Sequence, residues 1–464
     1  MTTTTSTTTT ASASDSAPLP EGLPPGPRTP APFQLLGLLT RGRPFLRRNQ
    51  ERYGDLFTLR LTTLGTWVFP GTTDLIRTAF TAPADVLHTG ESNLLEPILG
   101  PYSLLSTDRD QHLRQRRLLL PPFHGARMKA YEQLIEDITR EEIAKWPVGE
   151  EFPVVPSTMK ITLRAILGAV FGAEGATMQR LEELLPELVE RGSRMSMVPY
   201  LHYDLGRFSP WGRFVRLRRE VDATLDTLID EARRDPDVAE RGDVLALLVQ
   251  ARYDDGEPMG NHEIRDQLVT MLAAGHETTA NTLGWAVERL TRHPEVLARV
   301  VQAVDEGDSE YLAATVREIQ RVRPVIMFTT RLVKQPFELG GYVLPPGTRI
   351  ALGGAITHYD ERLFPNAREL RPERFVGVKP GTYSWLPFGG GVRRCIGAAF
   401  AHMEMEVVLR TMLETYELIP TTDRPERMAF RGVAHAPGRG GRVTVRPRAS
   451  APAAASVVRE TATA

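Results

Sequence analysis

The sequence predicts a mainly α-helical protein with small β-sheets, a large helical lobe beside a smaller β-rich one. Three observations predict it. Many segments repeat apolar residues near every 3.6 positions, strand-like stretches are brief and confined to two places, and strands do not alternate regularly with helices.

Taken in order, Leu23-Pro24-Pro25-Gly26-Pro27 marks the entry into the folded body, because prolines impose an extended path and glycine permits a turn. Leu56 to Leu61 and Trp67 to Phe69 flank Gly65 and read as a hairpin. Helical spacing then runs over Gln111 to Leu120, Arg127 to Ala144, Thr158 to Phe171, Gln179 to Arg191, Arg213 to Arg233, Asn261 to Thr291, Glu295 to Val304 and Tyr311 to Val322. Phe337 to Leu339, Tyr342 to Leu344 and Arg349 to Leu352 are short strands punctuated by Gly340-Gly341 and Pro345-Pro346-Gly347. The body is expected over 23–448. The Thr/Ser/Ala-rich 1–22 and the Ala-rich 449–464 hold little to bury and are expected to be disordered tails.

Composition narrows the function. With 56 Lys and Arg against 57 Asp and Glu the formal net charge is −1, so no global field favours nucleic acid. The run Phe33 to Leu39, flanked by Arg41 and Arg43, is far short of the about 20 apolar residues a membrane span needs, and the start of the chain lacks a secretory pattern. A soluble, cytoplasmic protein without a transmembrane segment is expected. A single cysteine excludes an intrachain disulfide, a Cys-rich zinc site and a protein-ligated iron–sulfur cluster. No G-x-x-x-x-G-K phosphate loop and no G-x-S-x-G elbow occurs.

That cysteine, Cys395, ends the run Phe388-Gly389-Gly390-Gly391-Val392-Arg393-Arg394, and Ile396-Gly397 leads into an apolar helical stretch from Ala398 to Leu413. The glycines let backbone pass close to a flat ligand. Phe388 can cover the sulfur side, and Arg393 can pair with an anionic edge group. A cysteine just before a helix N-terminus meets unpaired N–H groups that favour thiolate over thiol. The string fits F-x-x-G-x-R-x-C-x-G and resembles the haem-binding loop of the cytochromes P450, the haem-thiolate oxygenases.

Upstream stretches carry the same resemblance, which extends over about Leu23 to Arg448. Ala273-Ala274-Gly275-His276-Glu277-Thr278-Thr279 interrupts an apolar helix and is similar to the family's oxygen-activation motif. By itself Thr278 reads as a hydroxyl bonded back to the carbonyl of Ala274. The resemblance instead implies that Ala274 and Gly275 leave room for dioxygen while Thr278 and Glu277 pass protons. His276-Glu277 is not a zinc-protease helix, since position 280 is Ala. Glu318 and Arg321 match the family's E-x-x-R, which joins a downstream arginine matched by Arg374. His112 and Arg116, four apart on a helix, resemble its propionate-binding pair, with His112 where many members have tryptophan; Arg331 is placed as a further propionate partner.

The resemblance implies the cytochrome P450 fold, haem b (iron protoporphyrin IX) with Cys395 as axial iron ligand, and Phe388, Gly397 and Ala274 against the ring. It implies O2 as co-substrate and insertion of one oxygen atom into a small lipophilic substrate. Electrons would come from NAD(P)H through a separate ferredoxin or flavodoxin with its reductase, with Arg114, Arg117 and Arg394 as a basic docking patch. Family position places Leu94, Leu95, Ile98, Leu99, Met195, Met197, Val198, Ala273, Val325, Ile326, Met327, Phe328 and Ala434 on the substrate side; ordinary core is the simpler reading of many. A haem sensor or electron carrier, and peroxide-driven or isomerising chemistry, stay open as alternatives.

Overall fold

A computed structural model describes residues 22–449 apart from 94, 124, 126, 173–174, 197–205, 207 and 432–433. The disorder expected of the tails, and the placements expected of Leu94, Met197 and Val198, lie outside the described residues. The chain forms two compact units, one from residues up to Leu87 together with Thr330–Leu352, the other from His88–Thr329 and Gly353 onward.

The smaller unit is built on a five-stranded sheet ordered Leu56–Arg60, Thr66–Pro70, Arg349–Leu352, Thr329–Val333, Leu87–His88. The expected hairpin is present, antiparallel with Phe57 opposite Phe69, and the two rings stack 5.4 Å apart. The next strand joins parallel, Trp67 beside Arg349. The proline-rich entry lies along the first strand, where Thr58 donates from its N–H to Pro25 O at 2.9 Å and from its hydroxyl to Pro24 O at 2.7 Å. A Cβ on Gly26 would sit 2.1 Å from Thr58 O, so only glycine permits this approach.

Two helices of this unit, Ala31–Arg41 and Arg43–Tyr53, escape the periodicity argument, as do Thr73–Phe80 here and Val244–Gln250 in the larger unit. The reason is local. Ala31–Arg41 buries Ala31 and Gln34 in place of its leucines, and Arg43–Tyr53 buries Leu46 and Asn49, so neither shows an inward apolar stripe.

The larger unit is organised around the 30-residue helix Asn261–Leu290, which is buried on nearly every side. Val155–Phe171 lies against it, and two threonines of that neighbour reach across: Thr158 donates to Ala280 O and Thr162 to His276 O, each at 3.0 Å. Helix starts fall where caps place them. Asp308 accepts from Tyr311 N, so that helix begins at Ser309 rather than Tyr311, and Ser209 accepts from Gly212 N ahead of Pro210–Arg234.

Glu318 and Arg321 are fully buried on Ser309–Val322 and form a two-pronged ion pair, both contacts at 2.7 Å. Arg321 also donates to the carbonyls of His358, Ala367 and Glu369, while Glu318 accepts from Arg371 N at 2.8 Å and has Arg374 Nε 3.4 Å away. The helix thereby clamps the loop that precedes the cysteine. Truncating Arg321→Ala leaves the buried Glu318 carboxylate with only Arg374 and the Arg371 N–H, and the three carbonyls without their donor, a broken buried pair that costs about 3–5 kcal/mol. Denaturant unfolding of the variant is expected to show a loss of that order; a midpoint like that of the parent protein would remove the clamp from the account.

Candidate functional site

The loop before Cys395 turns twice through left-handed backbone, Gly389 at φ +64° and Gly391 at φ +63°, conformations that glycine adopts without strain. Cys395 N then donates to Phe388 O at 3.0 Å, closing the loop, and the helix Ala398–Thr415 starts after Gly397. The Cys395 side chain is accessible yet enveloped by protein. An atom on the wall of an internal hollow has both properties. Burial pushes its thiol up, while the Gly397 N–H, Arg394 and Arg116 pull it back toward the anion.

Arg116 supplies the second half of the site. Its guanidinium is half-buried, held below the usual arginine range by that burial, with Cys395 the one favourable charge acting on it. Among the described ion pairs none joins Arg116 to a carboxylate. A half-buried cation without a counter-ion beside a poised thiol fits an anionic, metal-bearing ring whose acid groups would meet Arg116. His112, one turn earlier, is buried on the same helix, Arg109–Leu119.

Arg393 is engaged elsewhere. It is ion-paired with Asp108 and donates to Leu104 O at 3.1 Å and Thr107 O at 2.6 Å, so it ties the cysteine loop to the start of the Arg109–Leu119 helix. Burial lowers its pKa to about 10. Arg331 stands on the sheet of the smaller unit, buried, its guanidinium 5.3 Å from the centre of the Phe80 ring and donating to Thr330 O. Arg114 and Arg117 are neutralised by Asp255 and Asp254 at 2.6 and 2.7 Å, which leaves Arg394 as the exposed, uncommitted member of the expected patch.

On the central helix the burial breaks at one turn. Leu268–Leu272 and Thr279–Leu290 are buried, but Ala274 is exposed and Ala273, Gly275, Glu277 and Thr278 are half-buried. In the middle of an enclosed helix, this turn is left uncovered by side chains of its neighbours. Thr278 donates its hydroxyl to Ala274 O at 3.0 Å, the back-bond its position alone suggests, which leaves its oxygen free to accept. Burial raises Glu277 to about 7, with Arg431 opposing. A groove of about 1460 Å3 between the helices Arg127–Ile143, Val155–Phe171 and Ala176–Ser196 reaches His276, Glu277 and Arg431.

Several expected substrate-side residues are instead packed. Ile98, Leu99, Met195, Met327 and Ala434 are buried, and Ile98 fills the space over Gly192, where a Cβ would meet it at 2.4 Å. Leu95, Ala273 and Val325 are partly buried against the core; Ile326 and Phe328 are half-buried.

Other neighbours of the site went unread. His402 lies on the helix after Cys395, stacked on Trp385 at 5.8 Å and tilted against Phe388 at 5.0 Å, with burial followed by Arg317 and Arg394 lowering it to about 4. It holds Phe388 as a neutral imidazole. Glu404 is fully buried against Thr279 with neither oxygen well partnered among the described residues, and burial pushes its carboxyl well up. No spacing rule marks a polar residue in an apolar helical run; only the aromatic company of His402 at Trp385 and Phe388 hints at it.

Over residues 24–440 the chain matches the Cytochrome P450 family. It belongs to that family. It is 47% identical to cytochrome P450 138 of Mycobacterium tuberculosis over 92% of this chain and 97% of that one, and 41% identical to cytochrome P450 135B1 of the same species, covering 92% of each. The retinoic acid-bound cyanobacterial CYP120A1 superposes with a TM-score of 0.79 at 23% identity, over 89% of this chain and 96% of that one. The P450DA heme domain does so at 0.78 and 22%, over 92% and 98%. These structures establish the P450 fold. P450 proteins are generally haem-thiolate monooxygenases, so the family implies a haem cofactor and the use of O2, and the geometry around Cys395 and Arg116 is compatible with that group.

Cys395→Ser is expected to abolish the reduced carbon monoxide spectrum of thiolate ligation; its survival would exclude Cys395 as the ligand. Arg116→Ala is expected to weaken haem retention about tenfold or more, the order of a lost charge-assisted hydrogen bond. Haem transfer to apomyoglobin measures it, and retention equal to the parent protein would place the acid groups elsewhere.

Proposed function

We propose that this chain is a P450 monooxygenase that inserts one oxygen atom from O2 into a lipophilic organic substrate, with 23–448 as its haem domain, acting in the cytoplasm. The observation that carries the reading is the accessible but enveloped Cys395 sulfur, flanked by a half-buried Arg116 that has no carboxylate partner among the described residues. Haem, when bound, would be held through the Cys395 sulfur and would supply the iron at which dioxygen is activated.

The protein's own residues do the rest. Gly397 N–H, Arg394 and Arg116 favour the thiolate form of Cys395. Phe388, buttressed by His402, shields the loop, and Gly397 lets the following helix approach the ring. His112, Arg116 and Arg393 of the larger unit are assigned to the ring's acid groups, Arg393 dividing its donors with Asp108; the same role for Arg331 rests on the family resemblance alone. Ala274 leaves space where a larger side chain would intrude. Glu277 holds a proton on its carboxyl up to about pH 7, and Thr278, its own hydrogen given to Ala274 O, accepts a hydrogen bond from water and so orients a proton donor. The exposed Arg394 suits an acidic ferredoxin or flavodoxin delivering electrons from NAD(P)H through its reductase.

Reconstitution with NADPH, ferredoxin and ferredoxin reductase tests the reading. Oxygen and NADPH consumption should depend on an added lipophilic compound and yield an oxygenated product by mass spectrometry. Electron uptake without such dependence across a broad panel would make the protein a carrier.

The proton role has its own signature. Glu277 is protonated below about 7, so product formation per NADPH should fall as pH rises through that value. Glu277→Gln is expected to lower product formation about a hundredfold and to flatten the profile there; a profile unchanged in shape would remove Glu277 from proton delivery.

A further inference from the structure

The first helix of the smaller unit is turned inside out. Along Ala31–Arg41 the buried side chains are Ala31 and Gln34, Gln34 being 1% exposed, whereas Phe33, Leu36 and Leu39 are 65, 55 and 51% exposed. Spacings of three put these apolar residues along one side of the helix. The orientation is anchored. Gln34 Nε2 donates to Pro27 O at 3.1 Å and Thr29 O at 2.6 Å, and its Oε1 accepts from Arg60 N at 2.8 Å. Rolling the helix to hide the leucines would break all three bonds, so the apolar side stays in water at a cost unless something covers it.

Charge indicates what covers it. The chain as a whole is almost neutral, yet Ala31–Arg41 and Arg43–Tyr53 carry Arg41, Arg43, Arg47, Arg48 and Arg52 against the single acid Glu51, which Arg47 takes at 2.7 Å. Arg41, Arg48 and Arg52 are exposed, as is Arg28 just ahead of the first helix. The segment 1–21 offers only Met1 and Leu19 as large apolar side chains, so these residues hold little to cap the stripe. The helix is 11 residues long, about half of what crosses a bilayer, and no helix among the described residues is long and apolar enough to do so. Apolar side chains on one face with basic residues of one sign around them are what an element lying in a lipid interface carries.

We propose that the helix pair Ala31–Arg41 and Arg43–Tyr53 docks this protein on the surface of an anionic phospholipid bilayer. Phe33, Leu36 and Leu39 enter the boundary of the acyl chains, and the exposed arginines meet lipid phosphates. The surface stands independently of the reaction assigned above.

Full-length haem-loaded protein is sedimented with vesicles of phosphatidylcholine alone and of phosphatidylcholine with phosphatidylglycerol, at low and high salt. Binding is expected on the anionic vesicles, weaker at high salt and weak on phosphatidylcholine alone. The combined Phe33→Ser, Leu36→Ser, Leu39→Ser variant, and separately Arg41→Glu with Arg48→Glu, should each lower the bound-to-free ratio about tenfold or more, with haem content and carbon monoxide spectrum unchanged. No binding to either vesicle, equal binding to both, or undiminished binding of the triple variant overturns the proposal. So does a concentration-dependent dimer in sedimentation velocity that the triple variant abolishes while vesicle binding is absent, because a second copy would then be what covers the face.

Discussion

Negative charge on a sulfur inside a protein is costly, and at Cys395 of the larger unit burial and three neighbouring groups act on that cost in opposite directions. Burial alone pushes the Cys395 thiol up. Against it work the Gly397 N–H at the start of the following helix and the guanidinium groups of Arg394 and Arg116, which come from two parts of the chain distant in sequence. The left-handed turns at Gly389 and Gly391 let the loop present the sulfur there, and the Glu318–Arg321 pair fastens the chain that leads into it.

The central helix meets a related difficulty. It carries hydroxyls, an imidazole and carboxyls through the interior of the larger unit, and around its middle the answer is a series of back-bonds: His276 to Leu272 O, Thr278 to Ala274 O, Asn281 to Glu277 O and Thr282 to Thr278 O. Satisfied in this way, most of the polar groups stay neutral or fixed. Glu277 stands out, with burial raising it to about 7 and a groove reaching it.

The cysteine loop and the threonine turn were legible because their glycines, cysteine and hydroxyls are tied to fixed local spacing, which one stretch of chain contains whole. Long helices were legible for the same reason, their apolar faces repeating within each segment. The helices Ala31–Arg41 and Arg43–Tyr53 were not, since one buries an amide and the other little that is apolar. Arg393 illustrates the limit from another side: its motif announces a cation at an anionic edge, yet Asp108 competes for it, and nothing near position 393 announces Asp108.

By itself the sequence determined the family, because the cysteine with its glycine turns and the acid beside its hydroxyls are each encoded within a few consecutive residues. Tertiary structure alone decided which arginine lies free beside the sulfur, which aromatic rings hold Phe388, where burial lifts a carboxyl toward neutrality, and which helix shows its apolar side to water. Each of these depends on competition for space and charge among side chains that are neighbours only once the chain has folded.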